Sequence, residues 1–151
     1  MRMDLIQPFI NAADAVFAES LQGPTKIGDL LMEEGAYHRK GVAALIVIKG
    51  DIEGRVILDL APEVALKVAA ILTGAEVTDS EQVVRETVCE LANMVIGNSV
   101  TLLNDQGLAG SRDTEAMVLA IETSCGNIYL NIAMHHLARR RRERDAMPVS
   151  S

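Results

Sequence analysis

The fold is decided by residues 79–104, DSEQVVRETVCELANMVIGNSVTLLN, which we interpret as one long helix. Asp79 or Ser80 suits its N-cap, because a short polar side chain accepts hydrogen bonds from the first free backbone N–H groups. Apolar residues then recur at steps of three, four or seven and fall within a narrow arc at about 100° per residue. These residues are Val84, Val88, Leu91, Val95 and Leu102. The pattern predicts a helix that packs one face against the protein core.

Four other residues follow the same spacing on the opposite face: Glu86, Glu90, Asn93 and Gly97. Glutamate is common on solvated helix faces, so the two carboxylates alone do not indicate a function. Asn and Gly are poor helix formers, and glycine costs up to about 1 kcal/mol relative to alanine. A helix that gives up stability on an exposed face often needs another molecule to approach it closely. We call these four residues the outward row and treat it as the candidate functional site, with an ordinary solvated face as the alternative.

Length and composition restrict the class of protein. With 151 residues the chain fits one domain with its own core. Apolar residues make up 49% and aromatic residues only 3%, with no Trp, so aromatic platforms for stacking bases are not expected. The formal charge of −7 is opposite to that of a general nucleic-acid binder. We therefore expect neither nucleic acid nor membrane as a partner.

The cysteines and the N-terminus predict a cytoplasmic protein. Cys89 and Cys125 are far apart and form no CxxC motif, which is typical of reduced thiols rather than of a disulfide framework. The N-terminal segment is interrupted by polar residues and Pro8, where a signal peptide needs an unbroken apolar run. The longest apolar run, residues 42–48, is far too short to span a bilayer.

The rest of the chain predicts an α+β domain with a single antiparallel sheet and helices stacked on it. Strand 41–48 is apolar throughout, so we expect it to be covered on both faces. The expected elements are a helix over 4–20, a short strand within 25–41, a hairpin of strands 41–48 and 55–60 around a turn at 49–54, a helix from Pro62 to a C-cap at Gly74, the long helix, a loop at 104–113, and a second hairpin of strands 117–122 and 128–134.

Several kinds of active site are not supported by the sequence. No glycine-rich phosphate-binding motif is present, and neither cysteine lies in a nucleophile motif. His135 and His136 are adjacent on a predicted strand, so their side chains would point to opposite faces, which does not suit a shared metal. His38 lies in a turn-like segment and is interpreted as a surface residue. A row of Glu and Asn is incomplete as an active site, so any reaction there would need groups that a partner brings.

The C-terminal segment differs from the rest. Residues 138–151 contain five arginines within six positions, 139–144, and we assign them to a disordered basic tail after a single domain of residues 1–137. Binding of phosphate backbones or anionic lipid by this tail is the less favoured alternative.

Residues 90–97, ELANMVIG, resemble the ExxN helix of the CheC/CheX/FliY phosphatases, specifically the CheX branch. Residues 52–57, 65–68 and 73–74 resemble the hairpin and connecting helix that precede that helix in CheX proteins. The resemblance covers residues 40–104 well. CheC-type members carry a second ExxN motif on the first helix, whereas this chain has only Asn11 and Asp14 there, so one site per chain is expected.

The resemblance implies an α/β domain with a sheet backed by two long helices, and a homodimer joined through strands. It also implies hydrolysis of the aspartyl phosphate of the chemotaxis response regulator CheY. The chain would need no cofactor of its own and no metal site, because the regulator supplies Mg²⁺, a lysine and the phosphoaspartate. Glu90 and Asn93 would be catalytic: the Asn93 amide would orient the attacking water and Glu90 would pair with the regulator's lysine. Glu86 and Gly97 would contact the partner.

Two positions depart from the family pattern. Asp or Ser usually stands four residues before the Glu, where this chain has Glu86, and a proline usually follows the Asn by about twenty residues, whereas this chain has none between Pro62 and Pro148. A non-catalytic dimeric module that binds a receiver domain or another signalling protein therefore remains the alternative.

Overall fold

The computed structural model describes residues 3–33, 37–48, 52–74, 81–106 and 116–136. They form three helices and six strands: α1 (Met3–Ser20), β1 (Lys26–Ile27), β2 (Leu31–Glu33), β3 (Val42–Ile48), β4 (Ile52–Leu60), α2 (Pro62–Thr73), α3 (Glu81–Gln106), β5 (Ala116–Thr123) and β6 (Gly126–His136). All the strands belong to one antiparallel sheet. The predicted α+β class and the two long helices, α1 and α3, are confirmed.

The sheet order is β1-β5-β6-β4-β3, with β2 also paired to β5. The two predicted hairpins, β3–β4 and β5–β6, are both present, and β4 pairs with β6 to join them in the middle of the sheet. Helix α1 lies over β5 and β6, whereas α3 lies over β3 and packs against α1 and α2. The helices therefore form a layer in which α3 is held by both other helices and by the sheet.

The core lies between this helical layer and one face of the sheet. Alternate residues of the four longer strands, β3 to β6, face it, as period-two side-chain geometry requires. Across the sheet, the register brings Val56 opposite Ile132 and Leu58 opposite Leu130, and all four are buried. Helix α1 adds two fully buried aromatic rings, Phe9 and Phe17.

The prediction that β3 is covered on both faces is wrong. Ala44 and Ile48 are buried, but Leu45 and Val47 are 62% and 58% exposed. The helices cover one face of the sheet, and β3 is its edge strand, so the other face of β3 is open. A continuous apolar run is typical of strands buried on both faces, but an edge strand with an apolar open face has the same sequence pattern.

Three predicted boundaries also differ from the structure. Strand β4 begins at Ile52, so Gly54 lies in the ladder opposite Ile48 rather than in the turn. The ambiguous segment 25–41 contains two short strands, β1 and β2, instead of one. Helix α3 extends through 104–106, which composition had assigned to a loop. The C-cap of α2 is confirmed, because Gly74 adopts the left-handed conformation with φ 71°.

Candidate functional site

The site is built on α3, which is anchored along one side. Val84, Val88, Leu91 and Val95 of the predicted stripe are buried, with Ala92 beside them. The side chain of Leu102 and the predicted N-cap at Asp79 or Ser80 lie outside the described residues. Burying a valine or leucine stabilises by roughly 1.5–3 kcal/mol each. Residues 84–95 of α3 are therefore held firmly against the core.

The outward row lies where the spacing predicts it. Glu86, Glu90, Asn93 and Gly97 are all exposed. Glu90 and Asn93 are three residues apart, which separates them by about 4.5 Å along the helix axis and places them on neighbouring positions of one face. One carboxylate and one amide can therefore enter the same small site on another molecule.

Hydrogen bonds distinguish the members of the row. The Gln82 amide donates to Glu86 Oε1 at 3.1 Å, so Glu86 is partly engaged within the helix. Within the part of the chain that the structure describes, the side chains of Glu90 and Asn93 make no hydrogen bond. Their hydrogen-bonding capacity is directed to solvent, which is the arrangement that contact with a partner requires.

Among the described residues, nothing in the packing requires a glycine at position 97. A Cβ atom built there would meet no described atom of another element within 4 Å, and the backbone has no positive φ. The glycine thus lowers helix propensity without relieving any steric conflict in the fold. Because Gly97 has no side chain, another molecule can approach the helix backbone closely one turn beyond Asn93.

A cleft of about 690 Å³ runs along one flank of the row, between α3 and the edge strand β3. Its lining includes Arg39, Val42, Pro62, Glu81, Arg85 and Cys89. Cys89 and Arg85 lie on the side of α3 that faces β3, and Cys89 directly precedes Glu90. A molecule that covers Glu90 therefore lies beside the cleft.

Arg39 and Gly41 of the cleft lining belong to a segment, residues 37–41, that is fixed by a buried carboxylate. Asp59 on β4 is fully buried and accepts hydrogen bonds from the Tyr37 hydroxyl at 2.6 Å, the Lys40 N–H at 2.6 Å and the Gly41 N–H at 3.0 Å. Burial and the hydrogen bond to Asp59 raise the pKa of the Tyr37 hydroxyl above its ordinary range. The backbone that follows Arg39 is consequently tied to the sheet, and before Arg39 the Tyr37 side chain makes a further link to Asp59.

Other chemistry is absent from the described ranges. No group of three or more His, Cys, Asp or Glu residues between 3 and 136, leaving out the four gaps, is arranged to hold a metal ion. Among the helices that the structure describes, none combines the length and apolar character needed to span a bilayer. Cys89 and Cys125 are free thiols, as predicted.

A family model described as chemotaxis phosphatase CheX matches residues 42–132, which is more than half of the chain. The chain belongs to the CheX family. No curated protein sequence is significantly similar to it.

Solved structures of the CheX and CheC-like type share the fold. A CheC-like superfamily protein from Shewanella sp. PV-4 has a TM-score of 0.74 at 21% identity, covering 89% of this chain and 99% of that one. CheX from Vibrio vulnificus has a TM-score of 0.72 at 17% identity, covering 86% and 98%. The Borrelia burgdorferi CheX structure, a complex with CheY, BeF₃ and Mg²⁺, has a TM-score of 0.68 at 28% identity and covers 88% and 99%.

In this CheX-family chain, the polar residues of α1 are engaged by their own neighbours. The Gln7 amide donates to Asn11 Oδ1 at 2.9 Å, and the Thr25 hydroxyl donates to Asp14 Oδ1 at 2.5 Å. Asn11 and Asp14 thus differ from Glu90 and Asn93, whose side chains make no hydrogen bond within the described ranges.

Sequence reasoning located the outward row but missed the cleft and Asp59. Arg85 and Cys89 could be placed on the flank of α3 from helical geometry, but nothing in the sequence says that β3 and Arg39 lie opposite them. Asp59 interrupts an apolar strand, and that interruption was the available signal of a buried, fully bonded carboxylate.

Proposed function

We propose that this protein hydrolyses the aspartyl phosphate of a CheY-type response regulator in bacterial chemotaxis signalling, acting in the cytoplasm. The observation that carries the proposal is the pair Glu90 and Asn93, one turn apart on an anchored helix of a CheX-family chain. Both side chains are exposed and make no hydrogen bond to a residue that the structure describes. The complex of Borrelia CheX with CheY supports the choice of partner class.

The proposed chemistry divides the site between two proteins. Hydrolysis of an acyl phosphate needs a water in line with the scissile bond and positive charge around the phosphoryl oxygens. The regulator would supply Mg²⁺, a lysine and the phosphoaspartate. Asn93 would accept a hydrogen bond from the attacking water through its amide oxygen, which holds the water in line. Glu90 would pair with the regulator's lysine and so fix the position of α3.

This division of labour requires a rigid helix, because a displacement of about 1 Å can cost on the order of 100-fold in rate. The buried stripe of Val88, Leu91 and Val95 supplies that rigidity directly beneath Glu90 and Asn93. Glu86 and Gly97 extend the contact one turn on either side, Glu86 through its carboxylate and Gly97 by allowing close approach.

We further propose that the protein forms a homodimer through the edge strand β3. In the described sheet, β3 pairs only with β4, which leaves one backbone edge of seven residues for a second copy. Exposed apolar residues on an unpaired edge strand favour association. In a two-fold dimer the same edge of both copies pairs with itself, so no edge is left for a third copy. Leu45 and Val47 supply the apolar surface.

The test of the activity is phosphate release from a phosphorylated CheY-type regulator of the same organism. We expect the wild type to accelerate release and Asn93→Ala to lose about 100-fold or more of that acceleration while still binding the regulator. Glu90→Ala should lose both rate and affinity, because it removes the docking carboxylate.

Matched controls are available on the far side of the sheet. Glu122 and Asn127 are exposed and lie on β5 and β6, whereas α3 packs over β3, so Glu122→Ala and Asn127→Ala should retain wild-type rates. If Asn93→Ala kept full activity, the proposed role of its amide would be wrong. If the wild type bound the regulator without accelerating release, the non-catalytic interaction module would be the better description.

A further inference from the structure

The cleft beside the outward row carries a charge opposite to that of the row. The row presents Glu86 and Glu90, whereas the cleft presents the guanidinium groups of Arg39 and Arg85 and one carboxylate, that of Glu81. The chain as a whole has a formal charge of −7, so this net positive charge is local. A partner covering both surfaces must offer a cation to the row and anions to the cleft.

The two arginines are in different states. Arg85 is paired with Glu81 at 2.7 Å on the same helix, and both side chains are well exposed. Arg39 is exposed and makes no ion pair among the described residues. Arg39 can therefore bind an anionic group directly, whereas Arg85 can bind one after its ion pair with Glu81 breaks. An exposed pair of this kind contributes little to stability, so the exchange costs little.

Arg39 is also held in place before any partner arrives. The backbone beside it is bound to Asp59 through the Lys40 and Gly41 N–H groups. Gly41 passes so close to β4 that a Cβ atom there would overlap the Leu60 carbonyl oxygen. Because this segment is already ordered, binding through Arg39 does not have to order a loop, and that lowers the entropic cost.

The cleft and the row are close enough to be covered together. Arg85 precedes Glu90 by five residues, about 7.5 Å along the axis of α3, and Cys89 in the cleft wall precedes Glu90 directly. Val42 and Pro62 give the cleft an apolar component, which suits a chain segment better than a free ion.

We propose that this cleft binds an acidic surface segment of the same response regulator that docks on the outward row, with Arg39 and Arg85 as the residues that select it. The inference rests on the proposed function, since it takes the regulator as the partner. It assigns recognition to the cleft and hydrolysis to the row. Arg39 and Arg85 act on affinity, and Glu81 competes with the regulator for Arg85.

The experiment measures the affinity of the Mg²⁺- and beryllofluoride-loaded regulator for the wild type, Arg39→Glu, Arg85→Glu and Glu81→Gln at low and high salt. Lys26→Glu is the matched control, because Lys26 is an exposed cation on β1 at the opposite edge of the sheet. We expect about tenfold weaker binding for each arginine variant at low salt, with the difference shrinking at high salt, because exposed charges are screened. Single-turnover phosphate release at saturating protein should stay at the wild-type rate.

Glu81→Gln gives an effect of the opposite sign. It removes a negative charge from the cleft and releases Arg85, so we expect roughly two- to fivefold tighter binding. The gain should vanish in the double variant Glu81→Gln/Arg85→Ala. Thermal denaturation of each variant checks that folding is retained.

The outcomes separate this inference from the proposed activity. Equal losses in Arg39→Glu and Lys26→Glu would mean that only net charge matters and would overturn the cleft assignment, as would unchanged binding in both arginine variants. Binding that depends on Arg39 without any hydrolysis would leave the cleft assignment standing and overturn the activity. A regulator that does not bind the wild type at all would overturn both.

Discussion

Gly97 is a residue whose identity the described part of the fold does not explain. Its Cβ position is open, whereas Gly126 combines φ 124° with a Cβ position 2.7 Å from Val64 Cγ2. The turn between β5 and β6 therefore needs its glycine, and α3 does not. Replacing each glycine by alanine should therefore change the stability of the protein in opposite directions.

Gly97→Ala should stabilise the protein by up to about 1 kcal/mol, because alanine is the better helix former. For a domain of this size that raises Tm by about 2–4 °C. Affinity for the regulator should fall, because the new methyl group meets the partner. Gly126→Ala should lower Tm. Thermal denaturation and a binding titration check both statements, and unchanged affinity in Gly97→Ala would mean that close approach does not occur there.

Tyr37 makes the stability sensitive to alkaline pH. Burial and Asp59 raise the pKa of its hydroxyl in the folded chain, so the unfolded chain loses this proton first as the pH rises. The contribution to the free energy of unfolding is complete below about pH 10 and declines as the pH rises through the raised pKa.

Tyr37→Phe should therefore lower stability near neutral pH by about 1–3 kcal/mol, the cost of a lost hydrogen bond to a carboxylate. It should also flatten the decline of stability above about pH 10. Denaturant titrations at pH 8 and pH 10.5 measure both effects. An equally steep alkaline decline in the variant would assign it to other groups.

At the scale of elements, the buried and exposed faces of α3 could both be predicted from the sequence. For β3 the strand itself could be predicted, but its exposed face could not. The stripe and the outward row of α3 follow from one period, because a helix repeats its environment every three to four residues. The strand character of β3 follows from its β-branched residues, but its position in the sheet depends on pairings that are remote in sequence. Its exposed face could therefore not be read from residues 42–48 alone.

The edge position of β3 gives a test of the proposed dimer. Leu45→Lys and Val47→Lys place charges on the exposed face, which should shift the protein to monomers because like charges meet across the two-fold interface. Leu31→Lys is the control, since Leu31 is 64% exposed on β2 at the other side of the sheet. Sedimentation equilibrium measures the mass, and a dimer that survives both β3 substitutions would place the interface elsewhere.

At the scale of the whole molecule, the sequence predicted the class, the order of elements and the single sheet. Local signals sufficed for these: Pro62 and Gly74 mark the ends of α2, and the 124–127 segment marks the second hairpin. Two features could not be predicted from local signals, because each brings together residues that are remote in sequence. These are the pairing of β4 with β6, which joins the hairpins, and the cleft between α3 and β3. The catalytic roles of Glu90 and Asn93 and the partner contacts of Glu86 and Gly97 stay predictions, as does the assignment of residues 138–151, which lie outside the described residues, to a tail.

The central pairing of β4 with β6 also determines the order in which the sheet can be completed. Each hairpin closes over a short turn, on a timescale of about 1–10 μs, whereas Arg55 must find Asn131, 76 residues later in the chain, to form the bond seen at 2.9 Å. During synthesis at about 5–20 residues per second, β4 therefore waits about 4–15 s with one edge unpaired. In that interval the first hairpin has two open edges and an apolar face. The nascent chain is thus open to wrong strand pairing at β4 until β6 leaves the ribosome.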